Sequence, residues 1–211
     1  MEVSRRNELV TRLWNMGAIC CEGVSLKTGQ VSPIYFNLRL LISDPQFLAE
    51  MAAEMWEKGT REFDQIPNLV CGVPYAALPL ATCISLNKNL PMIMCRKDRK
   101  DYGTKQLIEG KYQRGDESII IEDVTAYGSS VAEIAQLLRS EGLAVSKGIV
   151  ILDREQGALP YLRDIHGVDV KCLLTLEDVL EALVSTNKIS DSKAEEMRSF
   201  VKQHRHPDQV V

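Results

Sequence analysis

The stretch IIIEDVTAYGSSV, residues 119–131, decides how this chain is read. Its three isoleucines, Ile119 to Ile121, form a continuous apolar run of the kind seen in a strand whose sheet is covered on both faces. Glu122 and Asp123 follow at the predicted carboxyl end of that strand, and Gly128-Ser129-Ser130 then opens a helix predicted over 129–141. A helix start offers backbone N–H groups without intrahelical partners and the positive end of the helix dipole. With the hydroxyls of Ser129 and Ser130 it suits a phosphate monoester. The two carboxylates suit ribose hydroxyls, which they can accept as a pair. A second reading stands beside this one: acids followed by Gly-Ser-Ser can simply cap the helix.

Outward from this stretch the pattern alternates. Strands are predicted at 69–73, 92–95 and 147–152 and a helix at 76–86, so continuous apolar strands are separated by helices. That order indicates an α/β fold with a mostly parallel, doubly wound sheet and helices on both faces. Upstream, Leu9, Val10, Leu13 and Trp14 recur at helical spacing and stop at Gly17. In LKTGQVSPIYFN, residues 26–37, Lys27-Thr28-Gly29 reads as a turn and Ile34-Tyr35-Phe36 as a short extended piece held by Pro33. Asp44-Pro45 caps a helix to about Lys58, and two amphipathic segments, 176–184 and 192–202, close the chain. His166 reads as a loop residue before Gly167, and 97–117 is a long polar excursion of the kind that forms lids and binding loops. In open α/β sheets ligands bind beyond the carboxyl ends of the strands, which puts 122–130 at the expected site.

A length of 211 residues fits one domain, and 45% hydrophobic with 26% charged residues is the balance of a chain that folds by itself. A formal net charge of −4 argues against a broad basic face for nucleic acid, though a local cationic cluster runs from Arg96 to Lys105. The N-terminal residues lack the apolar core of a secretory signal, and no apolar run approaches the roughly 18 residues of a membrane span, so a cytoplasmic location is expected. Six cysteines form no CxxC pair and read as reduced packing residues. Three histidines, His166, His204 and His206, assemble neither a zinc site nor a Ser-His-Asp nucleophile.

The segment 119–131 resembles the diphosphoribosyl-binding signature of the type I phosphoribosyltransferases. With LKTGQVSPIYFN, MCRKDRKDYGTKQLIEG (94–110) and ILDREQG (151–157), the chain resembles the orotate phosphoribosyltransferases, particularly the form fused to orotidylate decarboxylase in animals. The resemblance implies transfer of a 5-phosphoribosyl group from its 1-diphosphate (PRPP) to orotate, in pyrimidine biosynthesis. It further implies Mg2+ held mainly by substrate and water, a small N-terminal hood over about 1–40, a core over about 45–175, and a homodimer whose 97–110 loop reaches the neighbouring site. Residue by residue, it puts Lys27 near both ligands and Tyr35 and Phe36 against orotate. Arg154 meets orotate's carboxylate side, and Ala126 touches either substrate. Arg96, Lys97, Lys100, Tyr102 and Tyr75 surround the diphosphate. Glu122 and Asp123 take the ribose, and Val124, Thr125, Tyr127, Gly128, Ser129 and Ser130 complete the 5′-phosphate loop. Of these, Arg96, Lys97, Lys100 and Asp123 would be catalytic. A diphosphate gains negative charge as it leaves, so cations there stabilise the transition state more than the ground state.

Two departures stand inside the pattern. Ala76 replaces a lysine usual in bacterial members, and Ala126-Tyr127 replaces a hydroxyl residue followed by a small one. A ligand-binding or regulatory relative with weakened catalysis is therefore the alternative to the enzyme.

Overall fold

A computed structural model describes residues 1–25, 31–96 and 107–205. Helix α1 (Val3–Asn15) buries Leu9, Val10 and Leu13. Four two-residue strands follow: β1 (Ile19–Cys20), β2 (Val24–Ser25), β3 (Val31–Ser32) and β4 (Tyr35–Phe36). They pair antiparallel as β1 with β4 and β2 with β3. A 3-10 turn, Leu38–Ser43, leads into α2 (Pro45–Thr60), which begins as expected: the Asp44 carboxylate accepts the Phe47 N–H at 2.9 Å and Pro45 occupies the first turn.

The main sheet alternates with helices: β5 (Leu69–Gly72), α3 (Leu78–Lys88), β6 (Met92–Cys95), β7 (Ile108–Glu109), β8 (Glu117–Thr125), α4 (Ser129–Ser140), β9 (Ala144–Asp153), α5 (Ala158–His166) and β10 (Asp169–Thr175). Helices α6 (Leu176–Ser185) and α7 (Asp191–Gln203) follow. In the sheet the order is β10-β9-β8-β5-β6-β7, parallel throughout except for β7 at one edge. From β5 the chain crosses to β6 in one direction, and from β8 it crosses to β9 and β10 in the other. Right-handed crossovers then place helices on both faces, with α2 and α3 packed together on one and α4 and α5 on the other. Between them Val70, Cys71, Ile119, Ile120, Ile121, Val150 and Ile151 are sealed from solvent. A Cβ at Gly59 would stand 2.8 Å from the Ile149 side chain, so glycine lets α2 approach β9. Among the described residues no helix is long and apolar enough to cross a membrane.

Three expectations need correction, and one strand was not anticipated. Strand β8 does not end at Glu122 but runs to Thr125, because its polar residues continue to pair with β9. The segment ALPYLRDIH is a helix, α5, and His166 is its last residue rather than part of a loop. Pro160 is accommodated in its first turn, where a missing N–H costs no intrahelical bond. The next segment, 169–175, is the edge strand β10, concealed in the sequence by Asp169 and Lys171. The polar excursion also contains β7, which pairs Ile108 with Cys95. Of the cysteines, Cys71 and Cys95 are buried and Cys20, Cys21, Cys83 and Cys172 are half-buried; all six are free thiols.

At the carboxyl end of β9, Asp153 is 8% exposed and accepts the Glu155 N–H at 3.0 Å. Burial pushes its carboxyl up to about 6, against the opposing pull of that hydrogen bond. Below the unfolded pKa of about 3.9 the group is neutral in both states, and the cost of burying its charge builds between there and about 6, then stays constant. Asp153→Asn is therefore expected to raise unfolding free energy by about 2 kcal/mol at pH 8 and by almost nothing at pH 3.5. Urea denaturation at both pH values checks this, and an equal gain at both would exclude the electrostatic cause.

Candidate active site

The site forms where one strand outruns its neighbour. Strand β5 pairs with β8 only as far as Gly72 opposite Ile121, with one further bond from the Val73 N–H to the Ile121 carbonyl at 2.9 Å. Beyond that point β8 continues to Thr125, paired with β9 alone. Residues 122–125 thus show an open edge where β5 turns away through Val73-Pro74-Tyr75, a segment with a cis Pro74–Tyr75 peptide and a largely exposed Tyr75 ring. This is the point where the order of strands reverses, and ligands of such sheets sit in the crevice above it.

On one wall of the crevice α4 begins. Its capping position is Gly128, at φ +82°, and a Cβ there would lie 2.9 Å from Leu162 Cγ. Both the backbone angle and the close packing of α5 select glycine. Among the described residues no side chain caps this helix, and its first turn holds no acidic residue. The capping reading of the segment therefore fails, and the helix start keeps its positive dipole end uncompensated. Ser129 and Ser130 are exposed at it and Ala126 is half-buried beside it.

The two acids divide. Consecutive strand residues project to opposite faces, so Glu122 is buried, at 6% exposure, while Asp123 is half-buried. Glu122 accepts the Asp123 N–H at 3.0 Å. Burial, and then the neighbouring Asp123 charge, pushes the Glu122 carboxyl well above the usual carboxylate range. Further along the same strand, Thr125 is buried and Val124 half-buried. The Thr125 carbonyl accepts the Arg154 N–H at 2.9 Å, which ties the start of ILDREQG's loop to the end of β8.

Arg154 is the least satisfied group in this region. Its Nε and one Nη are buried with no acceptor among the described residues. Burial lowers its pKa, partly opposed by the phenolic oxygens of Tyr127 and Tyr35, which lie close enough to interact with its charge. Buried guanidinium N–H groups without acceptors are costly, and an anion would relieve them. Tyr35 is half-buried, with its hydroxyl held by Arg39 at 2.9 Å. Phe36, in contrast, places its ring in the core at 8% exposure. That outcome follows from the alternation of side chains along β4.

Two residues that sequence reasoning did not single out join the site. Gln156 is buried, and its Nε2 donates to the His204 carbonyl at 2.7 Å and to the Tyr127 hydroxyl at 3.1 Å; the Tyr127 hydroxyl donates to the same carbonyl at 3.1 Å. The end of α7 is thereby fastened to the loop between β8 and α4. Gln156 stands within the quoted ILDREQG motif, but nothing in the sequence joins it to His204.

On the other side of the α4 start, a cleft of about 510 Å³ is bounded by Val73, Pro74, Arg96, Ser130, Glu133 and Ile134. Arg96, at the end of β6, pairs with Glu109 at 2.8 Å. Lys27, Lys97, Lys100 and Tyr102 lie outside the described residues. As possible metal donors the crevice offers Glu122 and Asp123, and no group of three or more histidines, cysteines or carboxylates gathers among the described residues.

No family model matches the chain. Its sequence is 43% identical to orotate phosphoribosyltransferase of Caenorhabditis elegans over 175 residues, which cover 82% of this chain and 75% of that protein. It is 36% identical to orotate phosphoribosyltransferase of Chlamydia caviae over 202 residues, covering 95% and 96%. It is also 42% identical to uridine 5′-monophosphate synthase of Bos taurus over 93% of its own length, but spans only 40% of that protein. Among solved structures, UMP synthase of Leishmania donovani superposes with a TM-score of 0.83 at 32% identity, covering 93% of this chain and 42% of that one. Orotate phosphoribosyltransferase of Aeropyrum pernix gives 0.70 at 27% identity, covering 83% and 98%. An open strand edge, an uncapped helix start and a half-buried arginine with two unpaired nitrogens lie at the carboxyl end of the sheet, and the identities to orotate phosphoribosyltransferases of Caenorhabditis elegans and Chlamydia caviae, the latter matched almost end to end, show that the chain belongs to the orotate phosphoribosyltransferase family.

Proposed function

We propose that this chain catalyses the reaction of orotate with 5-phosphoribosyl 1-diphosphate, giving orotidine 5′-monophosphate and diphosphate. The single observation that carries the reading is Arg154: a half-buried side chain whose Nε and one Nη are buried without acceptors among the described residues, hydrogen-bonded through its backbone to the strand that leads into an uncapped helix start. A carboxylate on the base supplies what the arginine lacks, and a phosphate supplies what the helix start lacks. The match to named orotate phosphoribosyltransferases over nearly their whole length favours catalysis over a role limited to ligand binding.

In this reading the 5′-phosphate lies on the N–H groups and hydroxyls of Gly128, Ser129 and Ser130, with Val124, Thr125, Ala126 and Tyr127 forming the loop that approaches it. Asp123 and Glu122 take the ribose hydroxyls. Arg96, Lys97, Lys100, Tyr102 and Tyr75 surround the diphosphate, while Lys27, Tyr35, Ala126 and Arg154 hold orotate. The ring nitrogen of orotate bonds to C1 of the ribose, the C1–O electron pair leaves with the diphosphate, and the proton lost from the ring N–H passes to the departing diphosphate, which gains negative charge. As the sugar becomes oxocarbenium-like, the Asp123 carboxylate favours it without covalent attack. Mg2+, when bound, neutralises the diphosphate; with two carboxylates at hand, substrate oxygens and water supply most of its ligands. A homodimer in the cytoplasm, with the 97–110 loop of each copy reaching its neighbour's site, completes the proposal.

Purified protein mixed with orotate, the diphosphate sugar and Mg2+ is expected to consume orotate, followed by its ultraviolet absorbance. No consumption despite measurable binding of the diphosphate sugar would establish the ligand-binding alternative. Arg154→Ala is expected to raise KM for orotate by about tenfold to a hundredfold, the worth of a charge-assisted hydrogen bond, and to leave KM for the diphosphate sugar within about threefold. Equal rises in both constants would remove Arg154 from the base pocket.

A further inference from the structure

Tyr127 occupies a place where the resemblance calls for a small residue in the phosphate loop, yet its hydroxyl is already committed. A phenol has one proton to donate, and here it goes to the His204 carbonyl at 3.1 Å. The nitrogen of Gln156 donates to the same phenol oxygen at 3.1 Å. The direction of that amide is fixed, because its nitrogen also faces the His204 carbonyl at 2.7 Å and a backbone carbonyl can only accept. Tyr127 is thus left without a proton for a phosphate, although it sits one residue before the helix start that receives one. Its ring, however, is 39% exposed and anchored at its far end. Tyr35 is held in a similar way by Arg39; Tyr127 is tied through Gln156 to the loop that carries the half-buried Arg154, whose own backbone N–H donates to Thr125 two residues before Tyr127, and both phenols are close enough to interact with the Arg154 charge. Phe36, the other ring expected at the base, is in the core.

We propose that Tyr127 is a base-binding residue: its ring, held by Gln156 and His204, forms with Tyr35 the aromatic walls beside Arg154 between which the planar acidic pyrimidine lies. This rests on the proposed function and adds a role for the residue that departs most from the family's loop. A planar ring gains from stacking on an aromatic face, and fixing the face in advance lowers the cost of ordering it on binding.

Steady-state kinetics with both substrates varied, on wild type, Tyr127→Ser and Tyr127→Phe, test this. Tyr127→Ser, which restores a small residue and removes the wall, is expected to raise KM for orotate about tenfold or more, with KM for the diphosphate sugar within about twofold. Tyr127→Phe keeps the ring and loses its anchor, and is expected to raise KM for orotate about threefold. The proposal is overturned if Tyr127→Ser leaves KM for orotate unchanged, or only lowers KM for the diphosphate sugar, which would make the phenol a mere obstruction of the phosphate cradle. Should melting curves show the serine variant unfolded, the folded Tyr127→Phe decides, and an unchanged KM for orotate overturns it. A wild-type protein that does not consume orotate defeats the proposed function and this inference together; an active wild type with insensitive variants defeats only the inference.

Discussion

Strand β8 loses one of its two neighbours at Gly72 and keeps the other to Thr125, and most of the site depends on that unequal pairing. The first part of the strand, sealed between helices on both faces, has no freedom and no access to solvent. Its last four residues remain fixed by β9 but open toward the place β5 has left. Rigid backbone with one free edge is what a site for a large polar substrate needs, since it positions groups without spending binding free energy on ordering them. The same geometry brings the start of α4, the end of β9 and the turn after β5 to one end of the sheet.

Electrostatically the site is unfinished by itself. Two nitrogens of the half-buried Arg154 are sealed without an acceptor among the described residues, α4 starts without a side-chain cap, and burial pushes the Glu122 carboxyl up. Each is unfavourable in the free protein and each would be relieved or used by one part of a phosphorylated sugar and an acidic base. Helices such as α6, with its Thr175–Asp178 capping box, carry no such deficit, although α1, α3 and α5 also begin without a side-chain cap.

The sheet was readable because its middle strands are apolar without interruption, a signal that only doubly covered strands give. The start of α4 was readable because Gly128-Ser129-Ser130 stands between an apolar strand and a run of helical periodicity. What could not be read has physical causes. The end of β8 is hidden because pairing with β9 continues through Glu122 to Thr125 after hydrophobicity has stopped. Helix α5 is hidden by Pro160, whose harmless place in the first turn is known only once the helix start is known. The tie between Tyr127 and His204 spans 77 residues and that between Gln156 and His204 spans 48, so neither leaves a local pattern. The core position of Phe36 depends on which face of a two-residue strand turns inward, which its sequence does not determine.

In the proposed reaction the uncapped start of α4 receives the 5′-phosphate, and a change that separates helix stability from anion binding tests that role. Ser130→Glu adds an acid to that helix start, where it favours the dipole and disfavours a phosphate. Calorimetric titration with 5-phosphoribosyl 1-diphosphate and Mg2+ is expected to show affinity at least about tenfold weaker in the variant, with the melting temperature unchanged or raised. Unchanged affinity in the folded variant would contradict the claim and move the phosphate elsewhere.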